Sequence, residues 1–115
     1  MKDIIQALQE WGCDTGAALE RFDQDKDLYV ECLKIFATDE NFTLLKNALV
    51  DDKVEEAFNA AHALKGVSGN LSLGNLYQNI CSVSDALKIG DLATAKIAFE
   101  DMVRSKEEYD KIVTA

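Results

Sequence analysis

Apolar side chains recur every three or four residues along most of this chain, which is the spacing of one face of an α-helix. The first two stripes predict a short helix that Gly12 ends and a second short helix that Asp14 or Thr15 caps. Their apolar positions are Ile4, Ile5, Leu8, Trp11, Ala18, Leu19 and Phe22. These stripes predict an N-terminal helical cap over residues 1–24, packed on a larger helical body.

Three further stripes predict three helices between residues 27 and 70. Asp39 or Asn41 caps the second of them, and Asp52 with Glu55 has the spacing of a capping box at the start of the third. The inward positions, helix by helix, are Leu28, Cys32, Ile35 and Phe36; Phe42, Leu45 and Leu49; and Val54, Ala57, Phe58, Ala61, Leu64 and Ser68. The third of these helices carries the only histidine of the chain.

Two last stripes predict a helix that ends at Gly90 and another that Asp91 caps. Their inward positions are Leu73, Leu76, Tyr77, Ile80 and Leu87; and Leu92, Ala95, Phe99, Met102, Tyr109 and Val113. Short connections make consecutive helices antiparallel neighbours. We therefore expect an all-α fold, an antiparallel up-and-down four-helix bundle, with the 28–38 helix packed alongside it in a core body of residues 27–113. The chain, residues 1–115, is expected to be a single domain.

The composition supports helices and narrows the choice of partners. The chain has 115 residues, no proline and a formal net charge of −9. Phosphate binding needs clustered Lys and Arg, so this charge argues against nucleic acid. No apolar run approaches the roughly 20 residues that span a bilayer, and no secretory leader pattern opens the chain. We expect a cytoplasmic protein without membrane contact.

Neither the cysteines nor the acidic residues form a metal-ligand pattern. The cysteines are Cys13, Cys32 and Cys81. Their odd number and wide spacing predict reduced thiols rather than a zinc site. Residues 23–27 alternate aspartates as a calcium loop does, but the positions that need Gly and Glu hold Leu28 and Lys34. We expect the chain to hold no metal or cofactor of its own.

His62 is the best candidate for chemistry, because imidazole is partly neutral, and so nucleophilic, near physiological pH. It lies on the flank of its helix's apolar stripe, beside Gly66 at i+4 and Gly69 at i+7, so we expect exposure. Glycine inside a helix costs about 0.5–1 kcal/mol relative to alanine, and such local conflicts tend to mark functional sites. Lys65, at i+3, can bring its ammonium toward a phosphate on His62.

These residues suit a mechanism in which neutral imidazole attacks a phosphoryl group, carries it covalently and yields it to another nucleophile. No carboxylate pair lies one turn from His62, so magnesium and the second nucleophile are expected from a partner. Ser84, on the next helix, is expected near the level of His62, where its hydroxyl would accept from the ring N–H. Phe58 and Asn59 are grouped with the two glycines as a docking surface.

A purely structural interpretation of the same residues stays open. Gly66 and Gly69 would equally permit close packing of helices, and Phe58 would then be a core side chain. Lys65 would be an ordinary solvated charge. A lone histidine on a helix is more often a surface residue than a nucleophile.

The run from Ala61 to Leu71, Ala-His-Ala-Leu-Lys-Gly-Val-Ser-Gly-Asn-Leu, resembles the signature of histidine-containing phosphotransfer domains. The resemblance covers about residues 27–113. It implies that His62 accepts a phosphoryl group from a receiver-domain phospho-aspartate and passes it to another receiver aspartate in a two-component phosphorelay. Lys65 would steady the phosphate. The receiver would supply the aspartate and Mg²⁺, and this chain would have no ATP site and no catalytic activity of its own.

Two departures and two alternatives accompany the resemblance. Ser72 stands where the family commonly has glycine, and Ser84 where many members have a longer Glu or Gln. One alternative is a degenerate member that binds receiver or kinase domains without carrying phosphate; retention of His62 favours the active form. A metal-binding bundle would need Glu-x-x-His pairs, but Asn59 precedes the histidine at i−3. The Met1 start favours a free-standing monomeric shuttle over a fragment of a hybrid kinase.

Overall fold

The computed structural model describes residues 3–114, and every regular element in that range is an α-helix. The helices are α1 (Ile4–Trp11), α2 (Thr15–Arg21), α3 (Lys26–Ala37), α4 (Asn41–Val50), α5 (Val54–Asn70), α6 (Gly74–Lys88) and α7 (Leu92–Val113). The all-α prediction is confirmed over these residues. None of the helices in residues 3–114 has the length and apolar character needed to cross a membrane.

Aspartate side chains define most of the helix starts. Asp3, Asp14, Asp25 and Asp91 each accept a hydrogen bond from the backbone N–H three residues later, at the starts of α1, α2, α3 and α7. At the other end, Gly12 follows α1 with a φ of 106°. The predicted boundaries at Asp14, Asp91 and Gly12 are therefore confirmed.

The predicted capping box at the start of α5 is wrong. Lys53 is the N-cap residue, and no side chain caps this helix. Asp52 has a left-handed φ of 55°, and its carboxylate accepts a hydrogen bond from Lys96 Nζ at 2.6 Å. At the start of α4 the N-cap residue is Glu40, but the predicted Asp39 carboxylate does accept a hydrogen bond from the Asn41 backbone N–H at 2.8 Å. Asp52 thus joins the turn before α5 to α7, a contact that its local spacing does not reveal.

The helices pack on one another in chain order from α4 to α7, while α1 and α3 pack on α7. Asn79 Nδ2 in α6 donates to the Asp101 carbonyl in α7 at 3.3 Å. The largest fully buried side chains are Leu8, Tyr29, Leu33, Phe36, Leu45, Leu64, Leu73, Leu76, Ile80, Val83, Met102 and Tyr109. Burying each such side chain contributes about 1.5–3 kcal/mol of transfer free energy. The core therefore draws on nearly every helix and holds α5 firmly on its inner side.

The predicted core stripe of α3 is confirmed at Phe36, which is buried, and is wrong at Leu28 and Ile35. Leu28 is 44% exposed and Ile35 is 61% exposed, whereas Tyr29 and Leu33 are fully buried. The Tyr29 hydroxyl donates to the Leu71 carbonyl at 2.9 Å, so the larger ring can enter the core without an unpaired polar group. The Leu33 carbonyl likewise accepts from a buried tyrosine hydroxyl of α7. Hydrogen-bond partners from distant segments decide which face of α3 turns inward.

The loop after α5 is held by the N-terminal helices. Arg21 Nη1 donates to the Asn70 carbonyl at 3.0 Å and to Ser72 Oγ at 2.8 Å. Gly74 has a φ of 50°, and a Cβ there would lie 2.9 Å from the Gly12 carbonyl oxygen. Only glycine permits this close approach of two backbones. The C-terminal end of α5 is thereby fixed against the N-terminal segment.

Candidate functional site

His62 lies on the outer side of α5, opposite the buried face of that helix. Ala57, Ala61, Leu64 and Ser68 are buried at helical spacing, and His62 is exposed. A rotation of about 100° per residue accounts for the difference between Ala61 and its neighbour. The predicted exposure of the imidazole is confirmed.

Phe58 contacts His62 directly. The two rings are stacked with centroids 5.7 Å apart and an interplanar angle of 20°. Phe58 is half-buried against the core, in a shallow groove that it shares with Val54 of α5 and Leu87 of α6. Long side chains on a helix lean toward its N-terminus, so the His62 ring lies over the preceding turn. The stack was not predicted, although the i, i+4 spacing of two aromatic rings would have indicated it.

The two glycines beside His62 have different surroundings. At Gly66 a Cβ would meet nothing within 4 Å, and this residue is exposed. At Gly69 a Cβ would lie 3.0 Å from Cε1 of Tyr77 in α6. The absence of a side chain therefore leaves open space next to His62 at Gly66, whereas at Gly69 it admits the Tyr77 ring.

Lys65 is half-buried, one turn after His62. Its backbone carbonyl accepts a hydrogen bond from Ser68 Oγ at 3.2 Å. Within residues 3–114 no ion pair or hydrogen bond occupies its ammonium group. Among the residues that the structure describes, no carboxylate therefore pairs with this ammonium, whose residue lies one turn after the histidine.

Ser84 is not brought to His62. Its residue is only 3% exposed and belongs to the inward face of α6, while His62 is exposed on α5. No hydrogen bond joins the two side chains in the part of the chain that the structure describes. Helical spacing did not reveal that the Ser84 side chain turns toward the core.

Asn59 is exposed and lies on the α4 side of α5. It lines an open groove with Asn41 and Leu44 of α4 and Glu56 of α5. Leu44 is 51% exposed there. Asn59 and Phe58 therefore line two different grooves, and of these two residues only Phe58 has a ring contact with His62.

Metal-ligating side chains and the buried Cys13 thiol form no second centre within residues 3–114. Among residues 3–114, no group of three or more His, Cys, Asp or Glu side chains is arranged to hold a metal ion. Burial raises the pKa of the Cys13 thiol to about 11, so that thiol stays protonated at neutral pH. The described site therefore consists of one exposed imidazole, one unneutralised ammonium and an open approach at Gly66.

Comparison of the chain with protein-family models, with curated proteins and with solved structures finds no significant match. The case for a function rests on the residues and geometry around His62.

Proposed function

We propose that the protein is a phosphotransfer module in which His62 accepts a phosphoryl group from the phospho-aspartate of a receiver domain and passes it to another receiver aspartate. The observation that carries the proposal is the setting of the imidazole. One ring face is stacked on Phe58, and the side toward Gly66 is open. A nucleophile on a helix surface needs such an approach, because its reaction partner belongs to another protein.

The transfer step needs only groups that the two proteins bring together. The lone pair of a neutral imidazole nitrogen attacks phosphorus, a P–N bond forms, and the P–O bond to the aspartate breaks. The bonding pair leaves with the aspartate oxygen as a carboxylate. The ring keeps its other N–H proton and becomes a phosphoimidazolium, which the reverse reaction with a second aspartate discharges.

Lys65 supplies the positive charge of this site. Phosphoryl transfer depends largely on positioning and on electrostatic stabilisation of the phosphate oxygens. The Lys65 ammonium is one turn from His62 and has no carboxylate partner within residues 3–114. Mg²⁺ and the aspartate nucleophile belong to the receiver in this proposal, and the chain itself is a carrier rather than an enzyme.

The proposal includes an arrangement of the helices and an oligomeric state. Helices α4 to α7 form an antiparallel up-and-down four-helix bundle, with α3 alongside and the two short N-terminal helices packed at one end. The protein acts as a cytoplasmic monomer that docks receivers around Gly66, Asn59 and Phe58. The short connections and the packing of these helices in chain order support this arrangement.

The test uses receiver domains phosphorylated at aspartate with acetyl phosphate carrying a labelled phosphorus. We expect the wild-type protein to acquire label that is lost in acid and kept in alkali, as a phosphoramidate is. The His62→Gln variant retains a polar side chain of similar length and acquires none. Label of the same stability on His62→Gln contradicts the assignment.

The same experiment separates the carrier from a module that only binds. Receiver binding is measured in parallel by fluorescence of Trp11. Saturable binding without label on wild-type protein indicates the degenerate alternative and contradicts phosphotransfer.

A further inference from the structure

The Phe58 ring is stacked against the His62 imidazole in a nearly parallel orientation. The rings lie within 20° of parallel, with centroids 5.7 Å apart. The lone pair with which an imidazole nitrogen attacks lies in the plane of the ring. Stacking against a face therefore restricts the movement of the ring without blocking its nucleophilic edge.

Phe58 is itself held in place. It is half-buried, packs against the hydrophobic core, and shares its groove with Val54 and with Leu87, which is 2% exposed. On the opposite side of His62, nothing lies within 4 Å of a Cβ built at Gly66. The imidazole thus has one anchored neighbour and one open side.

We propose that Phe58 is a positioning residue, which holds the His62 imidazole by ring stacking so that its nitrogen edge faces the phosphoryl donor. This inference rests on the proposed nucleophilic role of His62. A ring that is already ordered loses less rotational freedom when the donor arrives, and the reaction is faster for that reason. Stacked aromatic pairs contribute enough to make the expected rate effect about 2- to 10-fold.

Phosphoramidate provides a donor that needs no protein partner. Because the chain has a single histidine, phosphohistidine seen by ³¹P NMR reports on His62 alone. We expect Phe58→Leu, which keeps an apolar side chain in the groove, to lower the rate constant about 2- to 10-fold. Phe58→Tyr keeps the ring and restores the wild-type rate.

A second measurement distinguishes positioning from a general loss of packing. In the unphosphorylated protein, the carbon-bound imidazole protons are expected at shifts that differ from those of free histidine, because the ring current of the stacked Phe58 acts on them. Phe58→Leu moves them to the free position, and Phe58→Tyr does not. The matched control is Phe99→Leu, a half-buried phenylalanine of α7 with no ring contact to His62. It changes neither the rate nor the imidazole shifts.

Three results would overturn the role of Phe58: equal rates for Phe58→Leu and wild type, equal slowing by Phe99→Leu, or failure of Phe58→Tyr to restore the rate. The carrier function fails separately. Absence of label from phosphorylated receivers, with phosphoramidate rates that follow the Phe58 series, contradicts the receiver partnership and upholds the positioning.

Discussion

Gly66 and Gly69 lie three residues apart on α5, yet the structure gives them different surroundings. A side chain at Gly66 would extend into open space beside His62, whereas one at Gly69 would meet the Tyr77 ring at 3.0 Å. Sequence spacing alone grouped both glycines as a docking surface. Gly66 therefore leaves open space one turn from the imidazole, whereas Gly69 lets α5 and α6 pack closely.

The largest expected effect comes from filling the open side. A leucine at Gly66 would lean back over the His62 ring, since helical side chains point toward the N-terminus. We expect Gly66→Leu to lower phosphoryl transfer from a receiver about 100-fold, because misplacement of a reacting group by about 1 Å can cost that much. The measurement is the single-turnover rate of label transfer. A rate within a factor of two of wild type would remove Gly66 from the docking surface.

The same substitution at the packed glycine should act on stability. Gly69→Leu drives a large side chain into the Tyr77 ring, and overpacking of this kind costs about 1–3 kcal/mol. The free energy of unfolding from urea titration measures the loss. Phosphoramidate labelling of the folded fraction should keep its wild-type rate. A fully stable Gly69→Leu protein would show that the contact with Tyr77 is easily displaced.

Alanine substitutions at the two glycines should show the same difference as smaller changes in the free energy of unfolding. Gly66→Ala lies in an exposed helix interior without neighbours, so we expect a gain of about 0.5–1 kcal/mol in the free energy of unfolding. Gly69→Ala should gain less than this or lose stability, because Tyr77 must shift. Paired urea titrations compare the two variants. Equal gains in unfolding free energy for both variants would contradict the proposed difference between Gly66 and Gly69.

The smallest effect concerns the ionisation of Tyr77. Hydrogen bonding to the Cys81 side chain and, next, the negative charge of its thiolate form raise the pKa of Tyr77 above its ordinary value of 10.0. Burial raises the pKa values of Tyr29 and Tyr109 far beyond this range, so absorbance at 295 nm first reports Tyr77 as pH rises. Cys81→Ala should lower this first midpoint toward 10.0.

The raised pKa of Tyr77 also determines how the stability of the fold changes with pH. A raised pKa means that the folded state favours the neutral phenol, so its contribution is present below pH 10.0 and is lost as pH rises beyond it. Gly69→Ala, which displaces the Tyr77 ring, should also lower the midpoint, whereas Gly66→Ala should not. An unchanged midpoint in Cys81→Ala would contradict the contact between the two side chains.

The all-helical fold could be predicted because its causes are local. Apolar spacing and aspartate caps such as Asp14 and Asp91 act within a few residues of the chain. The face of α3 that enters the core could not be predicted this way. Tyr29 can be buried without an unpaired hydroxyl because that group reaches the Leu71 carbonyl, 42 residues away.

The candidate site shows the same division. The exposure of His62 and the position of Lys65 beside it follow from helical spacing. The inward direction of Ser84 depends on how α6 rotates against α5, which spacing on one helix does not fix. Ser72 falls between these two cases. It stands where the resembled family commonly has glycine, and its φ of 56° is a left-handed conformation.

The central claim is that His62 carries a phosphoryl group between receivers, and a chase experiment tests it most directly. Protein labelled by one phosphorylated receiver is separated from it and mixed with a second, unphosphorylated receiver, with Mg²⁺ or with a chelator. We predict that label leaves His62 and appears as acyl phosphate on the second receiver only when Mg²⁺ is present. Label that stays on the protein in the presence of competent receivers and Mg²⁺, or that resides on a residue other than His62, would contradict the account.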